Sequence, residues 1–284
     1  MIVDMADLEH GEGVRTRQVA GLEVLSAGEP SERPPVLLVH GAWHGAWCWA
    51  RHVMPYLADA GWEVHALSLR GHGGSPAGSL NRLRLRDYAD DVATVAADLG
   101  RVVLVGHSMG GAVVQRLLCR RDRPPVAGAA LLASVPPRGV IRVTAQVARE
   151  EPGVFAMTNL TADLGRLVAT REQVRNLFLS AGADDEVVDW LHERVQKESY
   201  LAFLGMLTPH RPRRRPSLPV LVLGAADDRI FTVPEVEVTA AAWGTTAHIV
   251  PDLAHDVMLD SRWQEAADVL EQWLPRSTAP SNGR

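Results

Sequence analysis

Cysteine and lysine are both scarce in this 284-residue chain. Cys48 and Cys119 are the only cysteines, too few for a disulfide framework or a thiolate metal cluster, and both read as small buried hydrophobes. Lys197 is the one lysine among 29 lysine and arginine residues, a bias we attribute to codon usage rather than chemistry. No run of about 18 apolar residues occurs, so no membrane-spanning helix is expected. Excess positive charge is missing too, and a net charge of −5 gives no electrostatic case for nucleic acid. The opening residues Met1-Ile2-Val3-Asp4-Met5-Ala6-Asp7 carry acids where a signal peptide would carry a basic and then an apolar stretch. A soluble, cytoplasmic protein is therefore expected.

What is present is ordinary globular material. The chain is 46% hydrophobic and 22% charged, enough for a sizeable core. Its length suits about two domains or one large α/β domain. Short apolar runs at Val36–Val39, Glu63–Leu69, Val102–Val105, Ala127–Ala133, Val220–Leu223 and Thr246–Val250 read as strands, with a strand or hairpin at Gln18–Ala27. Several are apolar throughout, as strands covered on both faces are. Helical patterns lie between them at Trp49–Ala60, Leu85–Leu99, Gly110–Arg121, Val233–Trp243 and Arg262–Leu274. This alternation predicts a doubly wound, mostly parallel α/β sheet.

The rhythm breaks from Pro137 to Arg211, where only helical stretches appear, such as Arg171–Leu179 and Asp185–Phe203. Its charges nearly balance, which argues against a polyanion-binding module. We expect a helical cap over 137–211, inserted into a discontinuous core of 1–136 and 212–284. The Arg211–Pro216 stretch would be the return linker, and the tail after Arg276 is expected to be disordered.

The strongest chemical signal is Val102-Val103-Leu104-Val105-Gly106-His107-Ser108-Met109-Gly110-Gly111 followed by a helix, a G-x-S-x-G motif in the strand–turn–helix context it requires. Such a turn lifts Ser108 above the sheet. A serine hydroxyl needs a base, itself oriented by a third group. Among 11 histidines, His255 follows the last strand and opens on the same sheet edge, whereas His248 lies within that strand and is a weaker rival. His107 is expected to point back into the core. Asp227 and Asp228 both end the preceding strand. A third element is Val39-His40-Gly41-Ala42-Trp43-His44-Gly45-Ala46-Trp47, after the first apolar strand. The amides of Ala42 and Met109 are candidates for an oxyanion hole, and Trp43 and His44 for the substrate pocket. Cap residues Phe155, Met157, Leu177, Phe178, Tyr200 and Phe203 are further pocket candidates.

Taken together, these residues resemble the α/β-hydrolase superfamily from the first strand to Leu274, in the order Ser…Asp…His. Leu69-Arg70-Gly71-His72-Gly73-Gly74-Ser75 also looks like that family's turn after its second core strand. The run His40–Trp49 is most similar to the branch of plant methylesterases, hydroxynitrile lyases and bacterial esterases. In that branch the acid stands two residues before an isoleucine or valine, which selects Asp228 over Asp227. Two departures stand out. Ala254 replaces the glycine common before the base, and Gly41 and Asp256 occupy the places where the lyases carry threonine and lysine. The resemblance implies a serine esterase with catalytic Ser108, His255 and Asp228, acting on a small or medium carboxylic ester without metal or organic cofactor. The alternatives are the same triad acting on a thioester, lactone or C–C bond, cofactor-free perhydrolysis, and a receptor-like protein that binds without turnover. Ser108 argues against epoxide hydrolase and dehalogenase chemistry, which place aspartate there. Because the base must be neutral, activity is expected to fall below a pH of roughly 6 to 7.

Overall fold

A computed structural model describes residues 13–210, 212 and 215–278. The apolar runs become the middle of an eight-stranded sheet. Its strands are β1 (Arg15–Val19), β2 (Leu22–Ala27), β3 (Val36–Val39), β4 (Val64–Leu67), β5 (Val102–His107), β6 (Val126–Leu132), β7 (Val220–Ala225) and β8 (Ala247–Val250). They lie in the order β1-β2-β4-β3-β5-β6-β7-β8. The Gln18–Ala27 region is a hairpin turning at Ala20 and Gly21, both at positive φ as a primed turn requires. From β4 to β8 every pairing is parallel. β3 and β5 are adjacent, yet their chain connections run to opposite sides, so a crevice opens at their carboxyl ends, the usual ligand position in such sheets.

Helices cover both faces. On one lie α1 (Trp47–Ala50), α2 (Val53–Asp59) and α11 (Trp263–Thr278); on the other lie α3 (Leu85–Leu99), α4 (Met109–Leu118) and α10 (Val233–Trp243). All six residues of β5 are buried, because α4 packs on one side and neighbouring strands flank it. Burying a Val or Leu is worth about 1.5–3 kcal/mol, which is why this run holds the centre.

Some boundaries differ from expectation. The Trp49–Ala60 helix is broken in two at His52, whose φ of −135° and ψ of −61° are not helical. α11 runs to Thr278, into the stretch expected to be disordered; residues 279–284 lie outside the described residues, as do 211, 213 and 214 of the linker. Between β6 and β7 the chain is helical, as the missing strand pattern suggested. It forms α5 (Ile141–Glu150), α6 (Pro152–Thr161), a 3₁₀ turn at Leu164–Val168, α7 (Arg171–Phe178), α8 (Asp185–His192) and α9 (Tyr200–Leu207). The continuous helical stretch read at Asp185–Phe203 is thus two helices. Glu198, between them, is buried and accepts hydrogen bonds from the Tyr88 hydroxyl (2.9 Å) and its neighbour's amide, Ser199 N (2.6 Å), while His72 Nε2 lies 3.1 Å away. No described helix is long and apolar enough to cross a membrane.

Candidate active site

Ser108 sits between β5 and α4 with φ +52° and ψ −117°, a strained conformation for a side-chain-bearing residue. Such strain costs of order 1–3 kcal/mol and persists only where the surroundings impose it. Here the backbone imposes it. A Cβ on Gly106 would lie 2.6 Å from the Gly110 carbonyl oxygen, and one on Gly110 would collide with the carbonyls of Val39 and His40. The glycines let strand, turn and helix close up, and the hydroxyl is left at the sheet edge.

His255 and Asp228 meet Ser108 there. His255 Nε2 lies 2.9 Å from Ser108 Oγ, and His255 Nδ1 lies 2.9 Å from Asp228 Oδ2. The other oxygen, Asp228 Oδ1, accepts amide hydrogens from Ile230 (2.7 Å) and Phe231 (3.0 Å). A carboxylate this buried needs such donors, since an unsatisfied one costs several kcal/mol. It therefore holds Nδ1–H and leaves Nε2 free to accept from the serine. Asp227 is exposed, and His248 on β8 is exposed as well, so neither joins the cluster. The backbone at Ala254 is not left-handed, whereas Asp252 takes φ +52°; glycine is not needed before this base. Ala254 N donates to buried Asp260 Oδ2 (2.8 Å), which steadies the turn.

Three histidines behind the site hold its peptides. His40 Nε2 accepts from Leu69 N (3.0 Å), so its Nδ1 carries the proton and donates to Gly41 O (2.7 Å). That carbonyl belongs to the peptide whose N–H is Ala42's. Burial, with the His72 ring adding, pushes His40 well below the usual imidazole range, so it stays neutral. His107 Nε2–H donates to His255 O (2.9 Å), and burial, reinforced by the His255 ring, pushes His107 down to about 3. This is the core-facing place expected for it. His44 is the third, described below.

Ala42, Trp43, Ser108 and Met109 share a cavity of about 230 Å³ with residues of the segment above, among them Val147, Phe155, Leu177, Phe203 and Met206. Met109 opens α4, so its amide lacks an intrahelical acceptor. His44 does not line the cavity, contrary to expectation. It is fully buried, because both its ring nitrogens are drawn to Ala42 O and Asp256 instead. Phe178 is buried, Met157 faces solvent, and Tyr200 spends its hydroxyl on Asn159; none of these three lines the cavity. Most of the lining side chains are apolar, and among the polar ones Gln146 is engaged by Arg142 (2.9 Å) and Glu150 (3.0 Å). The wall thus offers mainly apolar surface.

His107, His255 and Asp256 place potential metal-ligand atoms within 4.8 Å of one another. Both His255 nitrogens already face Ser108 and Asp228, so an ion there would dismantle that arrangement. A Cβ on Gly41 would approach Ser108 Cβ to 3.0 Å and His107 Nδ1 to 2.8 Å, leaving the lyases' threonine no room.

Comparison with known proteins gives the family and the fold. A stretch of 111 residues is 40% identical to esterase PIR7B of rice, Oryza sativa subsp. japonica, covering 38% of this chain and 41% of that protein. The matched stretch thus spans about two fifths of the rice esterase. Over 211 residues the chain is 28% identical to a pyrethroid hydrolase of Sphingobium wenxiniae, covering 70% of this chain and 72% of the relative. Among solved structures, an esterase of Exiguobacterium antarcticum shares the fold with a TM-score of 0.73 at 17% identity, over 92% of this chain and 98% of that one. A family model matches residues 36–269, most of the sheet and all the segment above it, and places the chain in the alpha/beta hydrolase family.

Proposed function

We propose that this protein is a serine esterase that cleaves a small or medium carboxylic ester through an acyl-enzyme intermediate. The observation that carries the reading is the buried relay Ser108 Oγ–His255 Nε2 and His255 Nδ1–Asp228 Oδ2, each link 2.9 Å, opening on an apolar cavity. His255 takes the Ser108 proton as the oxygen attacks the ester carbonyl. Asp228 keeps the ring in the Nδ1–H tautomer and stabilises the imidazolium that forms. The oxyanion is received by the amides of Ala42 and Met109. Each such donor is worth about 10²–10³ in rate. The imidazolium protonates the leaving alcohol, and water, activated by the same ring, frees the acid. Residues 137–211 act as a cap over a core formed by 1–136 and 212–284. No metal or organic cofactor takes part, and the enzyme works in the cytoplasm.

The kinship with esterases and with a pyrethroid hydrolase, and the apolar wall of the cavity, favour an ester apolar on its acyl side. Thioesters, lactones and C–C bonds would pass through the same intermediates, so an acyl-chain panel that includes them ranks the bonds. The test is intact-mass spectrometry after fluorophosphonate treatment. One adduct is expected on the wild type and none on Ser108→Ala. A folded wild type that takes no adduct would point to binding without turnover.

A further inference from the structure

We propose that Asp256 and His44 are positioning residues that lock the oxyanion loop to the loop carrying the base; this rests on the serine-esterase reading above. The two side chains are buried completely. His44 Nδ1 lies 2.7 Å from Ala42 O, and His44 Nε2 lies 2.9 Å from Asp256 Oδ2. A carbonyl only accepts, so Nδ1 carries a proton and donates it. The ring thereby closes a small loop over Trp43, which is held at φ +66°, a left-handed conformation rare for an aromatic residue. Trp43 O in turn accepts from Gln196 N at 2.7 Å. Asp256 is the residue after His255, so one carboxylate spans from the base's loop to the ring that pins Ala42.

The charges agree with this. Burial opposes the imidazolium, but the facing Asp256 carboxylate outweighs it and raises His44 above the usual range. Burial likewise opposes ionised Asp256, and the His44 charge outweighs it and lowers the carboxyl. The groups acting on the pair from around it include His107, whose Nε2 is 3.9 Å from Asp256 Oδ1, the charges of Glu198 on His44 and of His255 on Asp256, and the rings of Trp47 and Phe178. Asp256 Oδ1 has no hydrogen bond. A half-satisfied buried ion pair is a poor device for stability, where apolar side chains of like volume do as well or better. Its geometric effect is specific: it fixes the Ala42–Trp43 peptide, which adjoins the one carrying the Ala42 N–H, relative to the loop of His255.

Removing the carboxylate frees the His44 ring, lets Trp43 relax and moves the Ala42 amide off the oxyanion. The test compares wild type, Asp256→Ala and Asp256→Asn with p-nitrophenyl butyrate as substrate. A trifluoromethyl ketone of matching chain, whose adduct places an oxyanion in the hole, serves as inhibitor. Asp256→Ala is expected to lower kcat by roughly 30- to 100-fold, since a misplacement near 1 Å can cost about 10². KM should stay within about threefold, and ketone affinity should fall in parallel with kcat. Asp256→Asn, whose amide can donate to Nε2 and leave Nδ1–H on Ala42 O, should recover about tenfold of that loss. A purely structural role would lower the melting temperature and leave kcat and ketone affinity at wild-type values below it, and that result overturns the proposal. If Asp256→Ala does not fold, His44→Gln carries the same expectation, and a wild-type kcat there is equally fatal. A wild type that neither hydrolyses the ester nor takes the fluorophosphonate fails the esterase reading itself.

Discussion

At the carboxyl edge of the sheet, backbone meets backbone. Gly106, Gly110 and Gly111 have no room for a Cβ, and β5 is buried from end to end. In the helical segment between β6 and β7, side chains do much of the holding, beside backbone bonds such as Gln196 N to Trp43 O. α5 buries none of its residues fully and α6 buries only Thr158, while Leu160 is 78% exposed. This segment is tied down at points: Arg142 to Glu235 (2.9 Å), Trp43 Nε1 to Leu164 O (3.1 Å), and Glu198 to His72 and Tyr88. The contrast implies a division of labour. On the proposed function, the edge has one workable geometry and would carry the chemistry, whereas the helices can change side chains at modest cost and would set which substrate fits.

That contrast breaks or sharpens under three experiments. The largest effect belongs to the edge. Asp228→Asn should lower kcat by about 10⁴, because an amide no longer enforces the Nδ1–H tautomer. Asp227→Asn should stay within about twofold, as an exposed side chain outside the relay. Steady-state kinetics decides, and a larger loss in Asp227→Asn would reassign the acid.

Substitutions in the roof should be milder and selective. Phe155→Ala and Leu177→Ala, both lining the cavity, should shift the octanoate-to-acetate ratio of kcat/KM by about tenfold, the order of a few methylene contacts. A uniform loss across chain lengths would mean that these residues support the machinery rather than select the acyl group.

The smallest effect is on stability against pH. His40 and His107 titrate below the ordinary value of 6.5, His107 at about 3, so the unfolded chain binds protons that the folded one refuses. Stability therefore falls as pH drops below about 6.5. His44 has the opposite sign: its raised pKa adds stability that is full below 6.5 and lost as pH rises through the raised value. The depressed histidines, which also include His52, His65 and His210, outnumber the raised one, so calorimetry should find a melting temperature several degrees lower at pH 5 than at pH 7. A flat profile would show that the histidines at the edge exchange protons freely.

The same contrast explains what the sequence made legible. The G-x-S-x-G run after Val102–Val105, the aspartates after Val220–Leu223 and the His255 loop each belong to a strand end, and strand ends in a parallel sheet converge by topology. Position along the chain is therefore enough to bring Ser108, His255 and the Asp227–Asp228 pair to one edge, while the choice of Asp228 rests on the family resemblance. The cavity wall followed no such rule. Whether Phe178 or Phe155 lines the cavity depends on how short helices rotate and pack, which adjacency does not reveal. His44 failed for a related reason. It stands beside Trp43 in the loop, but its orientation was set by Asp256, 212 residues away. The paired departure at Asp256, a carboxylate where lyases carry lysine, was the one signal pointing there.

Arg142 donates to Ile230 O at 2.5 Å, and Ile230 N donates to Asp228 Oδ1 at 2.7 Å. Roof and acid thus hang from one mechanical hinge. A shift of α5 would therefore be felt at the turn that orients Asp228, so what happens in the roof is not mechanically separate from the acid.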